Sequence, residues 1–442
     1  REHHACRVPG QIVGCRSHGT LRAGRGKWGS RVSGHSRRYT LFVLTAILAV
    51  NQLDRNILAI TLDAISLEFS LNDTQLGLLS GIFFAAVYAL FGFPVARLAA
   101  RGSRRNIIAV SVAVWSALTM AMAGAQNFTQ LVLARLGVGI GEAGGVVPAH
   151  SMISDLYPPQ KRASAMATFI TGAHIGILLA FLIGGLVGQA FGWRWSFVAA
   201  GLPGLFLSLL LLFTVREPQR DIGSDRAPAP EGSMLVQTIK VIWQDKGLFH
   251  AMLGVGITGI VTFGALAWNA TFLIRAHGLT QAQAGIYFAL TVGIIGGLGT
   301  WTSGVLADRL GARQPKWRLG VVIVAILAAK PFSIGFLLAD SKVVAMSFLA
   351  VAVSFAGVFW GPTFAFLHGR IRNELRPMAT AIFMFVYNII GVGIGPTLVG
   401  IMSDVLPQSA PGHSLGLALL TIQITGIWGA FHYWQAVRTI KG

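Results

Sequence analysis

From about Tyr39 to the C-terminus the sequence is a succession of apolar segments of roughly 20 residues separated by short polar breaks, each long enough to cross a hydrocarbon core of ~30 Å. Counting them gives about twelve. This recurrence predicts an all-α membrane protein, and the composition agrees. Of the 442 residues, 54% are hydrophobic and 12% charged, roughly half the charge content of an ordinary soluble chain.

The formal net charge of +19 would suit a nucleic-acid binder, but the basic residues are neither gathered on a soluble domain nor interleaved with exposed aromatics, so no nucleic-acid partner is expected. They lie instead on alternate loops. Arg97, Arg101, Arg104 and Arg105 follow the second span; Lys161 and Arg162 follow the fourth; Arg309, Arg313, Lys316 and Arg318 follow the eighth; Arg370, Arg372 and Arg376 follow the tenth. The opposite loops, such as SLNDTQ and GAQNFTQ, carry almost none. By the positive-inside rule both termini and the loop joining the halves are cytoplasmic, in an inner or plasma membrane, which requires an even number of spans.

Residues 1–38 are rich in Gly, Arg and Ser and read as a basic disordered tail. They lack both an initiator Met and the apolar core of a signal peptide. They read either as a basic arm on the inner leaflet or, preferably, as an upstream extension. The only cysteines, Cys6 and Cys15, sit in this tail beside His3 and His4. No disulfide framework or metal site is expected from them.

The stretch FTVREPQRDIGSDRAPAPEGS combines charge, Pro and Ser, and marks a linker over 216–246 between a six-span bundle at 39–215 and another at 247–442. The halves look like copies. TQLGLL at 74–79 precedes ARLAARGSRR at 96–105, as AQAGIY at 282–287 precedes GVLADRLGAR at 304–313; Gly77 and Gly285 are 208 positions apart, and so are Arg101 and Arg309. A second correspondence relates KRASAMATF at 161 to LRPMATAIF at 375, where a basic residue opens the fifth span of each half. Duplicated six-helix halves facing each other across the membrane midplane suit a secondary transporter that rocks about a central site.

The fourth span contains RLGVGIGEA, with Arg135 and Glu142 seven residues apart. Seven helical residues turn through about 700° and rise roughly 10 Å, so both side chains share one face but cannot pair along a straight helix. Partners must come from a neighbouring span, and the first offers Asp54 and Arg55. An ionisable group at the bilayer centre costs at least ~2.5 kcal/mol, so four of them mark a function. Burial penalises a carboxylate's charged form while a nearby Arg favours it, so a moving Arg moves a proton. On this reading Glu142 is the principal proton carrier, Asp54 its partner, and Arg135 and Arg55 tune it or hold an anionic head. A charge-balanced cluster that locks the first and fourth spans together is the structural alternative.

Other candidates carry less. Gly137, Gly139, Gly141, Gly144 and Gly145 read as close helix packing by small residues. His174 reads as hydrogen-bonded core rather than a proton relay, and Lys330, before Pro331, as snorkelling toward an interface. Aromatic residues Trp268, Phe355, Phe359, Trp360 and Phe364 of the second half are core candidates; Trp268, Phe359 and Trp360 are also candidates for an apolar cavity wall opposite the charges.

GVLADRLGAR resembles the loop motif of the major facilitator superfamily, and the resemblance runs from about Tyr39 onward. It implies a gating role for Gly304, Asp308, Arg309 and Arg313, and for Arg101 and Arg105 in the first half. There Ala96 and Ala100 stand where the motif has Gly and Asp, which implies a weakened inner gate and a resting bias toward the inward-open state. NQLDRNILA, DTQLGLLSGIF, RLGVGIGEAG and ISDLYPPQKRASA are similar to the spinster family, transporters of lysolipids and related amphiphiles. The Asp-Arg and Arg-to-Glu spacings also occur in the anion:cation symporter family, which carries sugar acids and other carboxylates. The first resemblance implies a proton-coupled transporter of an amphiphilic anion; the second, a symporter of organic acids. Either implies a monomer in the lipid bilayer whose partners are a small-molecule substrate and protons, without cofactor or metal. No nucleotide-binding P-loop or hydrolase signature is present, so neither ATP hydrolysis nor an enzyme activity is expected.

Overall fold

The computed structural model describes residues 34–218 and 231–440, within which side chains at Ala96 and Ala100 lie outside the description. The tail residues His3, His4, Cys6 and Cys15 also lie outside it. Among the described residues every regular element is helical.

The first half contributes spans 1 to 6: Ser36–Phe69, Asp73–Ala99, Arg104–Met122, Phe128–Leu156, Pro159–Phe191 and Trp193–Thr214. The second contributes spans 7 to 9, Lys246–His277, Gln281–Arg313 and Trp317–Leu338, and spans 11 and 12, Arg376–Val405 and His413–Arg438. Span 10 is split into Lys342–Ser354 and Trp360–Arg370, with Gly357 at φ +77° in the break. Only glycine enters that backbone region at little cost, so the chain can turn there inside the bundle. The part of the linker nearest span 7 forms a helix, Glu231–Gln244.

Short polar loops fix the helix ends. Asn72 caps span 2 through a capping box with Gln75, and Thr280 caps span 8 through the same box with Gln283. These pairs obey the 208-residue offset of the repeat, so the duplication extends to hydrogen bonds. Span 1 packs on span 5 and span 3 on span 6; equivalently, span 7 packs on span 11 and span 9 on span 12.

The halves meet through spans 1 and 7, 2 and 11, and 5 and 8. At the ends remote from the linker, here the far face, their backbones nearly touch. A Cβ on Gly77 would come within 2.8 Å of the Pro396 carbonyl oxygen, and one on Gly285 within 2.4 Å of that of Phe181. Arg275 of span 7 pairs with Asp63 of span 1 at 2.7 Å and with Asp73 of span 2 at 2.8 Å. Asp404 accepts hydrogen bonds from the Asp73 and Thr74 amides, 3.1 and 2.7 Å, at the N-terminus of span 2, where a helix favours negative charge. Together these contacts close the far face.

At the linker face several ion pairs join elements of one half. Arg104 binds Asp155 and, at 2.9 Å, Glu217; Arg370 binds Asp245 at 2.8 Å. The loop-motif residues Arg101, Asp308, Arg309 and Arg313 are exposed, and Asp308 forms no ion pair among the described residues. Arg105 reaches the Val215 carbonyl at 3.2 Å and Asn106, while Gly304 has open space where a Cβ would project.

Candidate functional site

Arg55 crosses from span 1 to span 4, where its Nε donates to Glu142 Oε2 at 2.5 Å. Glu142 is fully buried, while the Arg55 side chain keeps 19% exposure. Its guanidinium also lies over the rings of Phe84 and Tyr88 of span 2, 4.9 and 4.6 Å from their centroids. Arg135, 3% exposed, also stacks on Phe84, 4.6 Å from its centroid. Its Nη2 reaches the Arg55 carbonyl oxygen at 3.5 Å, and its Nε has no partner.

The four sequence candidates therefore gather at one place, but they make one ion pair, not two. Asp54, 1% exposed, has neither oxygen hydrogen-bonded, and Glu142 Oε1 is likewise unpartnered. An isolated buried charge is costly, and a cluster built solely to fasten helices would close its second pair. Arg135 stands instead as a buried cation held by an aromatic face, a stacking that suits a planar guanidinium and leaves its Nε without a partner.

The glycines of span 4 make this arrangement fit. A Cβ on Gly139 would lie 2.6 Å from Val87, and one on Gly141 2.9 Å from the Trp115 backbone nitrogen, so span 4 lies directly against spans 2 and 3. This is small-residue packing, and it brings Arg135 and Glu142 within reach of span 1.

The aromatic candidates separate. Trp360, partly exposed, donates from Nε1 to the Tyr387 hydroxyl at 3.0 Å and sits 4.4 Å from that ring. Phe359, Phe364 and Phe383 stack around it. Trp268 belongs elsewhere: it is fully buried and donates to the Pro396 carbonyl at 2.9 Å, in a different hydrophobic cluster. It is interhelical packing, not cavity wall. Tyr387, unmarked by any sequence pattern, lies within electrostatic reach of Arg55 across the interface between the halves.

Two peripheral readings change. Lys330 does not snorkel: it is 8% exposed and its Nζ donates to Gln423 Oε1 of span 12 at 2.9 Å. Gly426 leaves the space, since a Cβ there would meet the ammonium at 2.3 Å. His174 makes no hydrogen bond among the described residues and instead packs its ring on Gly297 of span 8.

Residues 44–396 match the family model of the Major Facilitator Superfamily. The chain belongs to that superfamily. Among its relatives are an MFS-type efflux pump of Mycolicibacterium smegmatis, 30% identical over 89% of this chain and 91% of that protein, and Protein spinster homolog 3 of Danio rerio, 31% identical over 90% and 84%. A probable L-galactonate transporter of Escherichia coli is 26% identical over 90% and 88%. The solved structure of a bacterial homolog of the human lysosomal transporter spinster, inward-facing and unoccupied, superposes with a TM-score of 0.82 at 28% identity, covering 92% of this chain and 98% of that one. The protein is thus an integral membrane transporter resembling the spinster group, and the relatives are transporters rather than enzymes.

Proposed function

We propose that this transporter is a proton-coupled secondary carrier that moves an amphiphilic, anionic small molecule by alternating access, as a monomer with its linker face and both termini in the cytoplasm. One observation carries the reading: four ionisable side chains lie together inside the membrane, and only Arg55 and Glu142 are paired. Such a cluster has somewhere to go. When an anionic head occupies Arg135 or draws Arg55 away, Glu142 loses its counter-charge and is better accommodated as the neutral acid; when Arg55 returns, the proton leaves on whichever side is then open.

The mixed character of the side chains that the two halves bring toward their interface favours an amphiphile. The charges lie on spans 1 and 4, while Trp360, Phe364 and Tyr387 supply aromatic surface from spans 10 and 11. A polar head and an apolar body match those two walls. The rival substrate class, small organic acids, draws support from the similarity to the L-galactonate transporter.

A melting screen of the purified protein separates them. Lysophospholipids are expected to raise the melting temperature of the parent and to lose most of that effect in Arg135→Ala, while hexuronates and other short acids leave it unchanged. Stabilisation by the acids alone would overturn the amphiphile.

A further inference from the structure

Neighbouring residues on a helix point about 100° apart, so Asp54 turns away from the side that Arg55 presents to Glu142. It faces span 3 instead. Asn51, one turn earlier and 2% exposed, shares its face. From span 3, Trp115 and Thr119, one turn apart and 0% and 1% exposed, face the Asp54 carboxyl. Trp115 and Thr119 are near enough to act on Asp54 as donors, yet both Asp54 oxygens, both polar atoms of the Asn51 amide, Trp115 Nε1 and Thr119 Oγ1 are buried short of full hydrogen-bond geometry.

Buried polar atoms in proteins are nearly always satisfied, so six that stop short of full hydrogen bonds on these facing helices call for a cause. Here donors and acceptors are complementary. An indole N–H can only donate, a hydroxyl can donate, and an ionised carboxylate can only accept. We infer that Asp54 and the side chains facing it form a proton-holding site beside the Arg55–Glu142 pair, in which Trp115 and Thr119 are positioning residues that close on Asp54 when it is ionised and stand off when it is protonated. The inference deepens the proton-coupled reading and rests on it.

The geometry also links this site to Glu142. The Trp115 indole is clamped by span 4: a Cβ on Gly145 would lie 3.1 Å from the ring, and one on Gly141 3.0 Å from the Trp115 Cβ. Glu142 sits between those glycines. Any shift of span 4 as Arg55 leaves Glu142 is therefore passed to the indole, and so to the donor that Asp54 needs. The charged groups within electrostatic reach of Asp54 are Glu142 and Arg135, both on span 4, so their pairing acts on the same proton.

The test is infrared difference spectroscopy of the purified protein in lipid, stepped in pH, reading the protonated-carboxyl band that disappears in Asp54→Asn. Thr119→Val and Trp115→Phe are each expected to move the midpoint of that band toward higher pH by about tenfold in proton concentration, because each removes a donor to the ionised form. Thr119→Ser should restore the parent midpoint, which a packing role would not require. Thr119→Val is nearly isosteric and keeps the test alive should the Trp115 variant fail to fold. An Asp54-dependent band that neither variant moves would overturn the inference while leaving the proton-coupled reading intact. If no Asp54-dependent band titrates at all, Asp54 carries no proton, and the broader reading fails at this residue.

Discussion

The Arg55–Glu142 pair joins a fully buried carboxylate to a guanidinium that keeps some exposure, and that asymmetry decides how it responds to substitution. Removing one partner of a buried pair strands the other charge at a cost of about 3–5 kcal/mol, whereas replacing both with apolar residues of similar size is often neutral. Arg55→Met or Glu142→Leu alone should therefore lower the melting temperature more than the double variant does. Thermal unfolding in detergent checks this, and strictly additive losses would count against a mutually dependent pair. The four charges were legible in the sequence because an ionisable residue among apolar neighbours is conspicuous wherever it falls. Trp115, Thr119 and Tyr387 were not, since indoles, hydroxyls and phenols are ordinary in membrane helices and acquire meaning only from what they face. Lys330 was misjudged for the same reason: its partner Gln423 and the space left by Gly426 lie 93 and 96 positions away in the chain.

Among the elements, the apolar segments announced themselves by length. The break in span 10 and the π-helical stretches Ala289–Ile295 and Tyr387–Ile394 did not, because a local change of helical pitch leaves hydropathy untouched. The clasp at the linker face belongs to this scale. It ties the start of span 3 to the chain just beyond span 6 through Glu217, which accepts from the Arg105 amide at 2.7 Å, from Arg104 Nε at 2.9 Å and from Ser103 Oγ at 2.9 Å. Burial pushes the Glu217 carboxyl up, but these hydrogen bonds and the Arg104 charge outweigh it and hold the group below the usual glutamate range. A carboxyl depressed by folding stabilises above its unfolded value and loses that contribution as pH falls through its folded one. The melting-temperature gap between the parent and Glu217→Gln should thus be full near neutrality and close below about pH 4.3. A gap that persists unchanged in acid would remove the charge-based account of the clasp.

For the whole molecule, the two halves were visible as a repeat, and the shared capping boxes of spans 2 and 8 extend it. The conformation was another matter. The seal at the far face depends on meetings between distant residues, such as Arg275 with Asp63 and Asp73, that no local pattern encodes. The expected bias toward the inward-open state was tied to Ala100, whose side chain lies outside the described residues. The superposition on an inward-facing relative rests on the whole chain instead. What joins these scales is the claim that buried charges exchange partners as the halves rock, so that a proton gradient performs work on the solute. Each proton moved across one pH unit supplies ~1.4 kcal/mol, a tenfold accumulation. The direct measurement is movement of a labelled lysophospholipid into or out of proteoliposomes with and without an imposed pH difference, for the parent and for Glu142→Gln. The parent should be driven by the gradient and the variant indifferent to it, while still exchanging solute at equal pH; a variant driven as strongly as the parent would contradict the account.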